Sequence, residues 1–511
     1  MAKKSATYSA KTDTHAEHKH LFGSSGNSDF IVNMTPEGTH KLCGIYSIIA
    51  MLLVALSSVP YYISKAVGTG SDYMMLRTEN NETLIFLIMT LLIASGFIGM
   101  LIFMIACVKR EVVIGRNKAL LLFALSLVSS VISTIASADR GTAFYGYLDR
   151  DEGLVSLVGY LGFFTIGICL TDADWRRRAA NTVIGIGTVN AVMGILQSIP
   201  ALSKWIPSYY NYLFLGYKSS VRVAEYFNAY AAYDASYAAD GFTCSPFALA
   251  AMLTIASAFA VNKAAHTDKT ASRIVCLICT GIMSGAAIVT QTFPAMLGVG
   301  CVLLVTLITS AASKSGKTAV ITSALALAAA GCIAAGIVLT DNFRMSNEQI
   351  IFTDSFERLG IAFNAHTEHD DSIYSALWYD GTLVFKEYPV IGVGPDNWGA
   401  MYMNGYGMET DRTYNEVFDT AITRGAIGAV IYLAIIILTF GKACRLLKAA
   451  CTGKADKAVG IGAFTAFLCF FIQSMFNTTS VCSTPYFYFT IGLIWSYEAL
   501  NRLFPKKKAE N

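Results

Sequence analysis

Twelve long apolar runs alternate with polar segments along the chain. A helix needs about 20 apolar residues to cross the hydrocarbon core of a bilayer. The runs lie at 42–66, 84–107, 117–136, 154–171, 181–200, 241–262, 274–292, 294–312, 318–340, 414–440, 459–478 and 485–503. This pattern predicts an all-α polytopic membrane protein with about twelve transmembrane helices.

The polar segments divide the chain into regions. We expect a polar tail at 1–41, nine transmembrane helices within 42–340, a large loop at 341–413, three further transmembrane helices within 414–503, and a basic tail at 504–511. The loop precedes the tenth span and contains a helical stretch from Asp371 to Glu387. Loops of this length are usually functional. We therefore predict a partly helical loop that carries part of a site.

The distribution of basic residues predicts the orientation. With the N-terminus inside, the inner segments hold 26 of the 38 Lys and Arg residues and the longer outer segments hold 10. Cytoplasmic loops carry the excess of Lys and Arg in membrane proteins. Both termini are therefore expected in the cytoplasm, and the large loop is expected outside.

Composition narrows the classes of function. Charged residues make up 14% of the chain and hydrophobic residues 54%, whereas a soluble domain is about 25% charged. An ordinary soluble enzyme, a disordered protein and a basic nucleic-acid binder are excluded. Motifs of nucleotide-driven pumps and of the common hydrolases do not occur on a plausible face. We expect the bilayer as a partner and no nucleic acid.

The outer segments are acidic, because they hold 22 of the 35 Asp and Glu residues. Against this background a few outer or membrane-embedded arginines stand out: Arg77, Arg140, Arg150, Arg222, Arg344, Arg358, Arg412 and Arg424. A guanidinium near a membrane needs a carboxylate or a bound anion as its partner. A local ion pair and a phosphate clamp both remain open for each arginine. Only His366 and His369 offer an outer histidine base.

Two segments resemble a known family. The run from Trp378 to Trp398 (WYDGTLVFKEYPVIGVGPDNW) is similar to the outer-loop signature of the O-antigen ligase and polymerase superfamily. Its turn residues are Gly392, Gly394, Asp396 and Asn397. The segment 411–416 (DRTYNE), followed by a glycine pair at 425 and 428, resembles the family's His-Asn segment. Weaker similarities occur at 150–153 and 241–246, and the likeness covers roughly residues 110–500.

The resemblance implies an inverting membrane glycosyltransferase. Such enzymes transfer a glycan from undecaprenyl diphosphate to an acceptor hydroxyl on the outer face of the bacterial cytoplasmic membrane. They need no nucleotide and typically no metal, so we expect no cofactor and no metal site. The expected partners are the lipid-linked glycan donor and a glycan or glycolipid acceptor. A ligase and a repeat-unit polymerase both remain open.

The resemblance also implies the site residues. The expected diphosphate-binding residues are first Arg150 and Arg222, which lie on outer segments that lead into spans. Arg412 and Arg424 come next, because they flank Tyr414 and Asn415, which we call the Tyr-Asn segment. The expected catalytic residues are Tyr414, Asn415 and Glu416.

Tyr414 occupies the usual position of the family's histidine. A phenol with a pKa near 10 is a poor base. We therefore expect either a late deprotonation that needs little help, or assistance from Glu416, His366 or His369. A lipid-linked glycan flippase or transporter is the alternative from another class, although few ionisable residues lie within the spans.

Overall fold

The structure is a computed structural model that describes residues 35–59, 76–109, 118–146, 152–199, 202, 206, 239–290, 292–312, 316–339, 373–398 and 412–503. Every regular element within these ranges is a helix. Nine of the described helices are long and apolar enough to cross a membrane. The prediction of an all-α polytopic membrane protein is therefore confirmed.

The α-helices of the described residues are numbered here in chain order. They are α1 Pro36–Leu56, α2 Leu76–Val108, α3 Lys118–Ala136, α4 Arg140–Tyr145, α5 Leu154–Ile168, α6 Ala173–Ser198, α7 Pro246–His266, α8 Thr270–Val289, α9 Phe293–Ala312, α10 Gly316–Leu339, α11 Ile373–Glu387, α12 Glu416–Cys451, α13 Lys457–Gln473 and α14 Thr484–Leu503. Each of the twelve predicted spans overlaps one of these helices. The other two are the short α4 and α11, which lies in the expected outer loop.

Helix α1 begins earlier than the apolar pattern indicates. The hydroxyl of Thr35 accepts a hydrogen bond of 3.1 Å from the backbone N–H of Gly38, and Pro36 occupies the first turn. A capping threonine followed by proline is a favourable helix start even where the residues are polar. The helix therefore starts at Pro36, inside the expected polar tail, rather than at 42.

The centre of the bundle is α7, which is almost completely buried. It packs against α6, α8, α9 and α13. Small residues allow these helices to approach closely: a Cβ on Gly187 would lie 2.1 Å from Cβ of Ala256, and one on Gly298 would lie 2.0 Å from Oγ1 of Thr254. Close approach through small residues is the usual way in which membrane helices associate.

Helix α5 is held between α2 and α14 by glycine contacts. A Cβ on Gly162 would lie 2.2 Å from Cα of Gly96, and a Cβ on Gly492 would lie 2.9 Å from Cα of Gly167. Because both neighbours contribute backbone atoms, no side chain can move aside. These contacts fix α5, and with it the residues just before its first turn.

The described part of the expected outer loop packs on the N-terminal end of α12. Val384, Val393, Trp398 and Ile422 form a small buried cluster. The indole N–H of Trp378 donates a 3.0 Å hydrogen bond to the carbonyl of Thr413, just before α12. The loop helix α11 therefore holds the segment that opens α12.

Candidate functional site

The glycine-rich turn of the outer loop inserts into a break in α12. In an uninterrupted helix, the N–H groups of residues 426 and 427 would donate to the carbonyls of 422 and 423. Here Ala426 and Ile427 donate instead to the carbonyls of residues 389 and 390, at 2.8 and 3.4 Å. In return, the carbonyls of residues 422 and 423 accept from Val393 and Gly394 at 3.1 and 2.9 Å. Two helical hydrogen bonds are thus replaced by four between the turn and the helix.

Three glycines make this insertion possible. Gly392, Gly394 and Gly425 have φ values of 72°, 111° and 68°, a region that L-residues with side chains avoid. A Cβ on Gly425 would lie 2.1 Å from the carbonyl oxygen of Val390, and one on Gly392 would lie 2.5 Å from the carbonyl carbon of Thr423. The turn predicted at Gly392 and Gly394 is therefore present, and it docks on the glycine at 425.

Helix α3 holds the same turn from its other side. The hydroxyl of Ser133 donates a 2.8 Å hydrogen bond to the carbonyl of Thr423. The side-chain amide of Asn397 donates to the hydroxyl of Ser137 at 2.5 Å and to the carbonyl of Val393 at 3.2 Å. Asn397 is fully buried. These contacts show that the side chain of Asn397 stabilises the turn.

One face of α12 carries the polar groups of the site. Glu416, Thr420 and Arg424 are spaced four residues apart, so they lie above one another on the helix. Nη2 of Arg424 donates to the hydroxyl of Thr420 at 3.3 Å and forms no ion pair with any described carboxylate. The carboxylate of Glu416 is buried and, among the described residues, has no hydrogen-bond or ion-pair partner. A carboxyl group and a guanidinium, neither of them in an ion pair with a described residue, therefore share this face.

Arg412 is the most highly coordinated cation of the site. It forms an ion pair with Asp396, with Nη2 3.5 Å from Oδ1, and the two side chains are only 8% and 4% exposed. Nη1 donates to the carbonyl of Thr479 at 2.8 Å and also to the hydroxyl of Thr478. The guanidinium therefore joins the outer-loop turn to the connection between α13 and α14.

Glu152 supplies a further carboxyl group from the residue pair that precedes α5. Its backbone N–H donates to Oδ2 of Asp396 at 3.3 Å, and its Oε1 accepts a 2.5 Å hydrogen bond from the hydroxyl of Tyr160. Burial raises the pKa of Glu152 to about 7, and this increase is opposed by the charge of Arg412 and by the Tyr160 hydrogen bond. Glu152 is therefore about half protonated at neutral pH.

These groups surround a cavity of about 60 Å³. Its lining includes Ser130, Glu152, Tyr160, Asp396, Trp398, Arg412, Glu416, Asp419, Thr420, Thr423, Arg424, Thr479 and Tyr488. A volume of this size holds a few water molecules or one small anion. The cavity thus brings two guanidiniums and four carboxyl groups together at the N-terminal end of α12.

The Tyr-Asn segment lies beside this cavity. Tyr414 does not line the cavity, and its ring centroid lies 4.9 Å from that of Phe247. Its φ of 53° is a strained value for a bulky residue. The side chain of Asn415 accepts a 3.1 Å hydrogen bond from the N–H of Phe418, so it caps α12. The catalytic roles expected of both residues remain predictions.

The predicted site residues thus divide into separate groups. Asp396, Arg412, Glu416 and Arg424 meet around the cavity. Gly392, Gly394, Asn397 and Asn415 lie in the backbone and packing that hold it. Arg150, Arg222, His366 and His369 lie outside the described residues.

Several cavity residues were not predicted as site residues. Glu152 precedes α5, Tyr160 lies in α5, Tyr488 lies in α14 and Asp419 lies in α12. The spacing of 416, 420 and 424 could have predicted the α12 face from the sequence. Glu152 lies in an acidic cluster that gives no sign of its contact with Asp396. Among the described residues, no group of three or more His, Cys, Asp or Glu side chains is arranged to hold a metal ion.

Comparison with known proteins gives one family match. Residues 278–433 match the family model described as O-antigen ligase. This range runs from α8 to the first half of α12 and includes the inserted turn, Arg412, Glu416 and Arg424. No curated protein matches the chain. Within this range the match confirms the resemblance to the O-antigen ligase and polymerase superfamily, and it supports a role in glycan biosynthesis.

Proposed function

We propose that this protein is a glycosyltransferase of the bacterial cytoplasmic membrane that moves a glycan from undecaprenyl diphosphate to an acceptor hydroxyl on the outer face. The proposal depends above all on the cavity at the break in α12, where two guanidiniums face an unpaired carboxylate. All three side chains lie within the segment that matches the O-antigen ligase model. Both termini then face the cytoplasm, and the reaction uses neither nucleotide nor metal.

The two arginines bind the diphosphate. Cleavage of the bond between the anomeric carbon and the diphosphate oxygen leaves additional negative charge on the lipid diphosphate. Fixed guanidiniums that meet this charge in a buried site lower the barrier. Arg424 has free donors, because the described residues give it only the hydroxyl of Thr420. Arg412 keeps its bonds to Thr478 and Thr479 and exchanges Asp396 for a phosphate oxygen.

Glu416 serves as the base for the acceptor. The acceptor hydroxyl oxygen attacks the anomeric carbon and forms the new glycosidic bond. The old carbon–oxygen bond breaks, its electron pair leaves with the diphosphate, and the hydroxyl proton passes to the carboxylate of Glu416. A buried carboxylate with no other partner is suited to accept that proton. Glu416 thus acts as the general base, a role for which the phenol of Tyr414 is poorly suited.

A ligase and a repeat-unit polymerase share these steps. They differ in the acceptor, which is a different glycan or glycolipid for a ligase and a growing chain of the same repeat for a polymerase. We propose the ligase and retain the polymerase as its alternative, since the same two arginines and the same base serve either acceptor.

The test is a transfer assay with purified full-length protein, a labelled lipid-diphosphate glycan and candidate acceptors, in EDTA and without nucleotide. We expect Arg424→Ala to lower the release of undecaprenyl diphosphate about 100- to 1,000-fold. Glu416→Gln should lower it about 100- to 10,000-fold. The matched control is Arg445→Ala, since Arg445 is exposed on the same helix, about 30 Å along its axis.

Wild-type rates in both Arg424→Ala and Glu416→Gln, with all variants folded, would contradict the assignment of the site. A protein that releases no lipid diphosphate with any acceptor, but carries labelled glycolipid across proteoliposome membranes, is a flippase. That result would overturn the transferase proposal altogether.

A further inference from the structure

A second cavity lies at the opposite end of the helix bundle. Helix α7 begins beside the candidate site, where the ring of Phe247 contacts that of Tyr414. It ends at His266, 21 residues after its start, a distance of about 30 Å. The cavity around this far end has a volume of about 630 Å³, within the usual range of ligand pockets.

The lining of this cavity is basic. Its charged residues are Arg177, Lys263, Lys269 and Lys457, against Asp268 and Asp456. We call it the basic cavity. These four cations come from α6, α7, α13 and the residue that precedes α8, so the fold brings them together from separate parts of the sequence.

The acidic residues do not neutralise the lysines. Asp456 contacts Nε of Arg177 and caps α13 by accepting a 3.1 Å hydrogen bond from the N–H of Val459. Nζ of Lys263 donates to the side-chain oxygen of Asn181 at 2.7 Å. Within the part of the chain that the structure describes, Lys263, Lys269 and Lys457 form no ion pair.

A histidine in the wall adds an unused polar atom. Nδ1 of His266 lies 2.9 Å from the carbonyl oxygen of Asn262 and donates to it. Nε2 is buried, and the described residues give it no hydrogen-bond partner. Because Nδ1 donates to this carbonyl, Nε2 of the neutral ring can accept a hydrogen bond from a hydroxyl group in the cavity. The wall therefore presents lysine ammonium groups and one unused imidazole nitrogen.

We propose that the basic cavity binds a phosphate group at the membrane surface, and that this phosphate belongs to an anionic phospholipid headgroup. Lysine ammoniums bind phosphate as compact point charges, and basic pockets between membrane helices on the cytoplasmic side bind anionic headgroups. The four cations all lie in segments with the basic excess that marks the cytoplasmic side. The site is separate from the transfer reaction at the other end of the bundle.

The test measures lipid binding to full-length protein in neutral detergent by native mass spectrometry. Phosphatidylglycerol is compared with phosphatidylcholine, and inorganic phosphate is tested separately, at constant ionic strength, for its effect on the thermal unfolding midpoint. The variant is Lys269→Gln combined with Lys457→Gln. Its control is Lys448→Gln combined with Lys454→Gln, which removes the same charge from two exposed lysines that do not line the cavity.

We expect the wild type and the control to prefer phosphatidylglycerol, and the cavity variant to lose about 30-fold in affinity for it. Lys457→Arg should keep the preference, because the charge is retained. If phosphate alone stabilises the wild type but not the cavity variant, and no lipid is preferred, the ligand is a soluble phosphate compound rather than a lipid. Equal binding of all ligands to folded wild type and cavity variant would overturn the proposal.

Discussion

The break in α12 gives the sharpest prediction, through Gly425→Ala. The φ and ψ of Gly425 are 68° and −176°, a combination that is essentially restricted to glycine. An alanine at this position has two alternatives. It can keep the break, at a strain of about 1–3 kcal/mol, with its Cβ forced to within 2.1 Å of a backbone oxygen of the inserted turn. It can also close the helix and expel the turn.

Closing the helix has a cost that the hydrogen bonds define. The four bonds between the turn and α12 are lost, and two helical bonds form in their place. At about 0.5–1.5 kcal/mol for each bond, the net loss of two is about 1–3 kcal/mol. Because the steric overlap adds to the strained alternative, we expect the helix to close. Asp396 and Arg424 then separate, and a displacement of about 1 Å is enough to lower turnover about 100-fold.

The assay for Gly425→Ala combines thermal unfolding, lipid-diphosphate release and amide hydrogen exchange. Exchange should become faster at Val393 and Gly394, which lose their acceptors on α12. The matched control is Gly441→Ala in the same helix, where an added Cβ meets nothing within 4 Å. That change should leave turnover unaltered and raise stability by about 0.5–1 kcal/mol.

The reasoning would be refuted if Gly425→Ala folded with the midpoint, exchange and turnover of Gly441→Ala. If Gly425→Ala does not accumulate, Gly392→Ala tests the same contact from the turn. Its Cβ would lie 2.5 Å from the backbone of Thr423, and the same loss of turnover is expected. Normal turnover in that variant would equally contradict the importance of the insertion.

Three further predictions follow from individual residues. Ionised Glu152 adds negative charge beside Arg412, so the donor KM should rise about tenfold between pH 6 and pH 8 if only the protonated form binds donor. Glu152→Gln should remove this rise in the donor KM. A donor KM that rises with pH in Glu152→Gln as it does in the wild type would contradict the role of Glu152. Tyr414→Phe should keep turnover within about threefold, since a phenol is a poor base, whereas a loss above 100-fold would show that its hydroxyl is needed. Gly162→Val should lower the thermal unfolding midpoint, because the added side chain overlaps Gly96. Gly300→Ala should not lower it, because a Cβ at that position meets open space. Equal midpoints for the two variants would contradict the packing of α5.

The length of the apolar runs was enough to predict the helices of the bundle, because membrane-spanning segments must satisfy their backbone groups internally. The break in α12 could not be predicted in the same way. The sequence around Gly425 reads as one continuous apolar helix, since glycine occurs often in membrane helices. Only the docked turn shows that this glycine has a non-helical conformation.

The composition of the site was less predictable than its location. The outer loop and the Tyr-Asn segment led to Asp396, Arg412, Glu416 and Arg424, all of which line the cavity. Glu152 was not predicted, because its contact with Asp396 joins residues 244 positions apart. A pattern along the chain reports local spacing, and such a contact depends on how α5 packs between α2 and α14.

The two arginines of the cavity have different sets of partners. Arg412 is bound by the hydroxyl of Thr478, the carbonyl of Thr479 and the carboxylate of Asp396, so its position is fixed before any substrate arrives. A buried ion pair such as Arg412–Asp396 adds little net stability to the fold. Stabilisation of the fold is therefore a weak explanation for its presence. Arg424 has a single hydroxyl partner among the described residues, and it adjoins the break that the inserted turn maintains. In the reaction that we propose, Arg412 is the fixed cation that orients the diphosphate, and Arg424 is the free cation that meets the charge formed on cleavage. This division of roles accounts for a site built at an interrupted helix.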